Sequence, residues 1–254
     1  MRTRLESFAD RLAQRATLVG TFLKTPSPIV CEVLGLSPLD VICLDAEHAP
    51  FGRLETDACV SQLRHADMPS LVRIPDDSAT EIRNALDTGA TGLLVPHVTS
   101  AEQAQRIVEL AHFGEGGRGF AGSTRAARFT TRSMSEHLQR SEKETTIVLQ
   151  IEDLAALDKV DAIAGVEGVH GLFIGRADLA VAMQHGVNDA AVLAAVKGIC
   201  QACDKRGRAV GMFTPDAGEM PMWMDCGASF FLLGSDHAFL LNGAKALKQT
   251  ISQD

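Results

Sequence analysis

Tyrosine is absent from the 254 residues, so no phenol is available as an acid, a base or a stacking platform. Nor is there the basic stripe of a nucleic-acid-binding chain. The formal net charge is −8, which favours solubility and is silent about the substrate. Residues 1–15 are charged throughout and lack the apolar segment of a signal peptide. No apolar run approaches the ~20 residues needed to span a bilayer. These absences predict a soluble, cytoplasmic protein with neither nucleic acid nor membrane as a partner. Disulfides are not expected either. Cys31, Cys43, Cys59 and Cys226 stand singly among apolar residues, as buried free thiols do. Cys200 and Cys203 form a C-x-x-C inside a stretch predicted to be helical, with no second pair to complete a zinc site.

What is present points to one large core. The chain is 46% hydrophobic and 22% charged, a globular balance, and its length is near the ~250 residues of a (β/α)₈ barrel. With no linker and no sharp change of composition, residues 1–254 are read as a single domain. Short runs rich in Val, Ile, Leu and Phe predict strands at 18–25, 41–45, 70–74, 92–98, 146–152, 171–175, 209–213 and 230–234. Helices are predicted between them, at 28–35, 54–65, 78–87, 100–111, 133–142, 154–164, 190–205, 216–225 and 237–249. Capping residues open several of these, as at Ser78, Ser100 and Ser133. Leu5, Phe8 and Leu12 add a short amphipathic helix at the start. The alternation predicts a (β/α)₈ (TIM) barrel, with a doubly wound open sheet as the rival. The segment GEGGRGFAGSTRAARFTT breaks the rhythm as a long loop, the kind that is usually functional or disordered. Its formal G-x-G-x-x-G match follows a helix rather than a strand, which argues against a dinucleotide site.

In a parallel barrel the chemistry sits at the C-terminal ends of the strands. Polar residues follow the apolar runs there: Asp45-Ala46-Glu47-His48, Arg73-Ile74-Pro75, Pro96-His97, Gln150-Ile151-Glu152, Arg176-Ala177-Asp178 and Ser235-Asp236-His237. Glu152 and Asp178, from adjacent strands, repel each other unless a cation or a proton lies between them. Two carboxylates with open positions suit Mg²⁺ or Mn²⁺. Equally, each could simply cap the helix that follows. Asp45 and His48, three apart, make a candidate carboxylate–imidazole pair for general-base work, against the plainer reading of a surface turn. Arg73 can reach the barrel axis to stabilise an enolate or clasp a carboxylate, unless it is an ion pair with Asp76 or Asp77. Lys24, at the end of the first strand, is the one lysine placed for a Schiff base, and its context does not single it out.

The segments LDAEHAPFGR, LVRIP, GLLVPHVTSAEQA, GGRGFAGSTRAARF, LQIED, VEGVHGLFIGRADLA and GASFFLLGSD together resemble the HpcH/HpaI aldolase family, in the family's order and over nearly the whole chain. The resemblance implies a class II, pyruvate-dependent aldolase on a (β/α)₈ barrel. It implies Glu152 and Asp178 as ligands of a divalent cation (Mg²⁺ or Mn²⁺, with Co²⁺ a further candidate), and His48 as the base with Asp45 as its partner. It further implies Arg73 at the pyruvate oxygen, Gln150 as an amide that either supports a metal ligand from behind or contacts the substrate, and the backbone amides of Ala177 and Asp178 at the pyruvate carboxylate. The substrates implied are pyruvate or a 4-hydroxy-2-oxo acid, together with an aldehyde. The family's assembly implies a homo-oligomer, dimers that exchange the last helix and assemble further into a hexamer, with Arg125 and Arg128 near a neighbour's active-site mouth. Where the family commonly reads Gly-Pro, this chain has Gly175-Arg176, a flexible cation beside a metal ligand. Two alternatives stand beside the aldolase: a CoA-thioester lyase of the citrate or malyl-CoA lyase type, and a non-catalytic metabolite-binding barrel.

Overall fold

The computed structural model describes residues 3–251 and places a β-strand in each of the eight apolar runs. In chain order the elements are α1 (Arg4–Ala13), β1 (Leu18–Leu23), α2 (Pro28–Gly35), β2 (Val41–Asp45), α3 (Arg53–His65), β3 (Ser70–Arg73), α4 (Ala79–Asp87) and β4 (Gly92–Val95). Next come α5 (Ala101–Ala111), α6 (Met134–Glu144), β5 (Thr146–Ile151), α7 (Leu154–Leu157), α8 (Val160–Ala164), β6 (Gly171–Ile174) and α9 (Arg176–Met183). The last are α10 (Ala190–Arg206), β7 (Ala209–Thr214), a 3₁₀ turn (Ala217–Glu219), α11 (Met220–Asp225), β8 (Phe230–Ser235) and α12 (Asp236–Ile251). Three details depart from the sequence reading. The helix expected at 154–164 is broken into α7 and α8, that expected at 216–225 opens with the 3₁₀ turn, and α9 was not foreseen.

Every strand pairs in parallel with its sequence neighbour, and β8 returns to β1. Closure decides against the open doubly wound sheet. It is secured at the far end of β1, where the Thr21 hydroxyl donates to the Leu233 carbonyl at 2.8 Å. Beside it the buried Asp236 carboxylate accepts from the Lys24 and Thr25 amides at 2.8 and 3.0 Å.

Strand side chains alternate between two apolar layers. Leu18, Phe22, Val41, Cys43, Leu71, Leu94, Val148, Phe173 and Phe230 fill the barrel interior. Ile42, Leu44, Val72, Leu93, Leu149 and Leu172 pack outward among the helices. Full burial of each such side chain stabilises by about 1.5–3 kcal/mol relative to exposure. Phe8 and Leu12 of α1 belong to the interior cluster, and Phe8 meets Phe230 edge to face at 6.5 Å. This closes the end where the strands begin and leaves the opposite end for chemistry. The serines foreseen as caps act as such: Ser78, Ser100 and Ser133 accept from the amides of Glu81, Gln103 and Glu136.

Among the described residues no helix is long and apolar enough to cross a membrane. All the cysteines are free, with Cys200 and Cys203 buried inside α10. The Gly-rich segment forms turns without helix or strand, apart from an isolated bridge between Phe113 and Arg118. Its Arg125 is tied to its own chain, 2.6 Å from Asp57 and stacked over Phe129, while Arg128 is exposed. Along α12 the apolar side chains find no cover on the barrel: Leu240, Leu241 and Leu247 are 69, 60 and 72% exposed.

Candidate active site

Strand alternation that puts Cys43, Leu71 and Val148 inside the barrel also turns Asp45, Arg73 and Gln150 inward two residues later, at the open end. Asp45 is fully buried, and a buried carboxylate requires partners. Arg73 supplies two, with Nε and Nη2 at 3.0 and 2.8 Å from Oδ1. Lys24 Nζ lies 2.8 Å from Oδ2, and the His48 backbone N–H donates to Oδ1 at 3.1 Å. Burial alone would raise the Asp45 pKa, but Arg73, Lys24 and the His48 amide together hold it below the usual carboxylate range.

The Asp45–His48 dyad expected from the sequence is therefore not formed through the imidazole. Asp45 takes His48's amide, while the ring is 59% exposed with Nε2 3.6 Å from Glu47 Oε2. The ion-pair partners of Arg73 are Asp45 and Glu47 (3.3 Å), not Asp76 or Asp77, and its guanidinium lies over the Phe22 ring at 4.6 Å. Glu47 is thus a hinge of the polar network that sequence reasoning passed over, although it stands between two residues that were singled out.

His97 is a second omission. It follows β4 in a left-handed conformation, φ 56°, which a non-glycine residue adopts only where its surroundings impose it. Its amide donates to Glu152 Oε1 at 3.0 Å, and its ring Nδ1 lies 3.0 Å from Asp153. The Asp153 contact, with Glu152 and Glu47 nearby, raises the His97 pKa against the effect of partial burial. The signal was available, since Pro96-His97 stands at a strand end.

Glu152 is buried beside Gly175, where a Cβ would fall 2.6 Å from Glu152 Cβ; only glycine fits. Burial raises the Glu152 pKa, the Gln150 amide and the His97 N–H oppose it, and the negative charge of Asp178 pushes it further up. The Gln150 side-chain nitrogen donates to Glu152, leaving the Gln150 oxygen buried without a partner. Asp178 is exposed in the first turn of α9. The amides of Ala177 and Asp178 lie in that same turn, where backbone N–H groups have no intrahelical acceptor and favour an anion.

These residues fit a hard divalent cation. Glu152 and Asp178 influence each other electrostatically, and a cation between them would relieve the strain that burial puts on Glu152. Among the described residues no three His, Cys, Asp or Glu side chains converge as a metal-ligand group. An ion here would have two protein carboxylates and take its other ligands from solvent or substrate, as Mg²⁺ and Mn²⁺ do.

The residues open onto a recess of about 300 Å³. Phe22, Lys24, Arg73, Gln150, Arg176 and Asp178 are among its walls. Such a site can bind a small anion and neutralise charge that develops on it.

The chain matches the HpcH/HpaI aldolase/citrate lyase family over residues 18–243. It is 33% identical over 249 residues to a 5-keto-4-deoxy-D-glucarate aldolase of Salmonella arizonae, covering 97% of this chain and 96% of that one. A protein of the same name from Klebsiella pneumoniae is 34% identical over 232 residues, 90% of each chain. Among solved structures, an HpcH/HpaI aldolase/citrate lyase family protein of Burkholderia cenocepacia superposes with a TM-score of 0.92 at 29% identity, covering 97% of this chain and 99% of that one.

Proposed function

The chain belongs to the HpcH/HpaI aldolase/citrate lyase family and is an aldolase, and on that premise we propose that it cleaves or forms a 4-hydroxy-2-oxo acid through a pyruvate enolate. The relatives' named substrate, 5-keto-4-deoxy-D-glucarate, is a keto acid of this class and the first candidate for this chain. The observation that carries the reading is the convergence of Arg73, Gln150, Asp178 and the first turn of α9 on one recess, with Glu152 beneath it.

Glu152 and Asp178 are the residues that would hold a divalent cation, Mg²⁺ or Mn²⁺. When bound, such an ion polarises the 2-oxo acid and offsets the negative charge of its enolate. The Ala177 and Asp178 amides receive the substrate carboxylate, and the Gln150 side-chain NH2, which also donates to Glu152, orients it. Arg73 faces the 2-oxo oxygen. Its guanidinium, held by Asp45 and stacked on Phe22, is fixed before the reaction, so stabilising the enolate oxygen needs little reorganisation. His48, with Glu47 at its ring, takes the proton of the C4 hydroxyl. The C3–C4 bond then breaks, its electron pair moves onto the pyruvate half as the enolate, and the aldehyde leaves. Protonation at C3 completes pyruvate. Lys24 is engaged in an ion pair with Asp45, and no Schiff base is assigned to it.

Relatives at 33 and 34% identity over almost the whole chain carry aldolase names, which favours this reading over a CoA-thioester lyase or a silent barrel. A cytoplasmic homo-oligomer, a hexamer built on exchange of α12, completes the proposal. Its support is the exposed apolar side of α12. The chemistry is tested by oxaloacetate decarboxylation and retro-aldol cleavage before and after exhaustive chelation. Activity should vanish on chelation, return with Mg²⁺ or Mn²⁺, and be absent from Glu152→Gln. Full activity in the chelated protein would overturn the assignment.

A further inference from the structure

Two cations in the recess wall have no part in the enolate chemistry. Lys24 follows β1 and remains 31% exposed, with Asp45 Oδ2 at 2.8 Å on one side of its ammonium. Arg176 opens α9 and is only 8% exposed. Its Nη2 donates to Glu219 Oε2 at 2.7 Å, and the guanidinium lies 5.2 Å over the Trp223 ring. Trp223 Nε1 in turn donates to the same Glu219 oxygen at 3.3 Å. This network holds the guanidinium in one orientation with its other terminal nitrogen, Nη1, buried and without a hydrogen-bond partner. A buried charged donor left unsatisfied is costly, and both Lys24 and Arg176 line the recess that contains Asp178 and Arg73. Between them the wall is apolar, with Phe22, Phe173 and Phe213. Against that apolar wall, two cationic donors call for an acceptor of negative charge.

We infer that Lys24 and Arg176 determine acceptor specificity, selecting short aldehydes that carry a carboxylate. The inference rests on the aldolase reading and adds the chemical class of the second substrate. Pyruvate is fixed by Arg73, Gln150 and the start of α9, and the carbonyl to be attacked must lie next to its C3. A carboxylate beyond that carbonyl meets Lys24 and Arg176, while a neutral aldehyde of the same size leaves Arg176 Nη1 without an acceptor.

Glyoxylate and glycolaldehyde are two-carbon aldehydes that differ in carrying a carboxylate or a hydroxymethyl group. Aldol addition of pyruvate to each, with the intact Mg²⁺- or Mn²⁺-loaded protein, gives a ratio of kcat/KM values. In Arg176→Gln and in Lys24→Gln that ratio should fall roughly tenfold or more, the size of one lost charge-assisted hydrogen bond. The change should appear mainly in the KM for glyoxylate, and Arg176→Lys should recover part of it. If both variants lose activity toward the two aldehydes in equal proportion, the residues only support the fold and the inference is overturned. Exchange of the pyruvate methyl protons in D₂O, measured on the unaltered protein without acceptor, tests the underlying aldolase reading separately. Absence of exchange would remove both, whereas exchange with an unchanged ratio in the variants would remove only the specificity assignment.

Discussion

His170 shows how one side chain ties stability to pH. Its Nδ1 accepts the Ile147 amide at 3.2 Å, which places its proton on Nε2. Burial, then the charges of His112 and Arg208, lower its pKa from 6.5 to about 4. The unfolded chain therefore binds a proton as pH falls below 6.5, whereas the folded chain resists until about 4. Stability should be complete above that window, decline through it and level off below. The integrated loss is on the order of 3 kcal/mol. Urea unfolding of His170→Asn, whose side-chain oxygen can still accept from Ile147, should show a flatter decline between pH 7 and pH 5 than the unaltered protein. Equal slopes would assign the acid sensitivity to other groups. At this same scale the candidate site was partly legible. Residue alternation along a strand says which side chains turn inward, so Asp45, Arg73 and Gln150 could be read directly. Partner choice could not. A spacing of three brings His48 near Asp45, but Arg73 is 28 residues away and, with Lys24, claims the carboxylate. The imidazole is left to Glu47. Long-range charge competition of this kind has no local sequence signature.

Among the elements, β4 shows how little room the barrel allows. Gly92 pairs with Thr146 of β5, and a Cβ there would lie 2.1 Å from the Thr146 carbonyl oxygen. That oxygen belongs to the backbone of the adjacent strand, so it cannot move aside as a flexible side chain would. Gly92→Ala should destabilise by about 2 kcal/mol or more, seen as a lower denaturant midpoint with an unchanged slope. A midpoint equal to that of the unaltered chain would mean that the ladder relaxes freely here. The strands were legible because a barrel strand is apolar on both faces and stands out as a short continuous run. The eight residues of α9 escaped because RADLAVAM has little periodicity, with only Arg176, Leu179 and Ala180 buried. The break between α7 and α8 comes at Lys159, whose φ of −114° and ψ of 0° leave the helical region. No glycine or proline marks the break, so it had no local signal.

At the scale of the whole molecule, apolar side chains on several helices of the described residues stand uncovered. Leu240, Leu241 and Leu247 of α12 are exposed, as are Ile29 and Val33 of α2 and Leu36 just beyond it. Light scattering at micromolar concentration should give a mass several times 27.1 kDa, and truncation after His237 should lower it. A fully active monomer of the intact chain would refute the proposed helix exchange. Closure of the barrel also governs how a nascent chain matures. Thr21 and Leu233, joined across the β1–β8 seam, lie 212 residues apart. During synthesis β1 therefore waits, one edge unpaired, until nearly the entire polypeptide has emerged. Contacts so distant in sequence slow the final docking, and through that delay the open edges can recruit a strand from another molecule. The seam that leaves the finished barrel without edges makes its closure the step most open to pairing with another molecule.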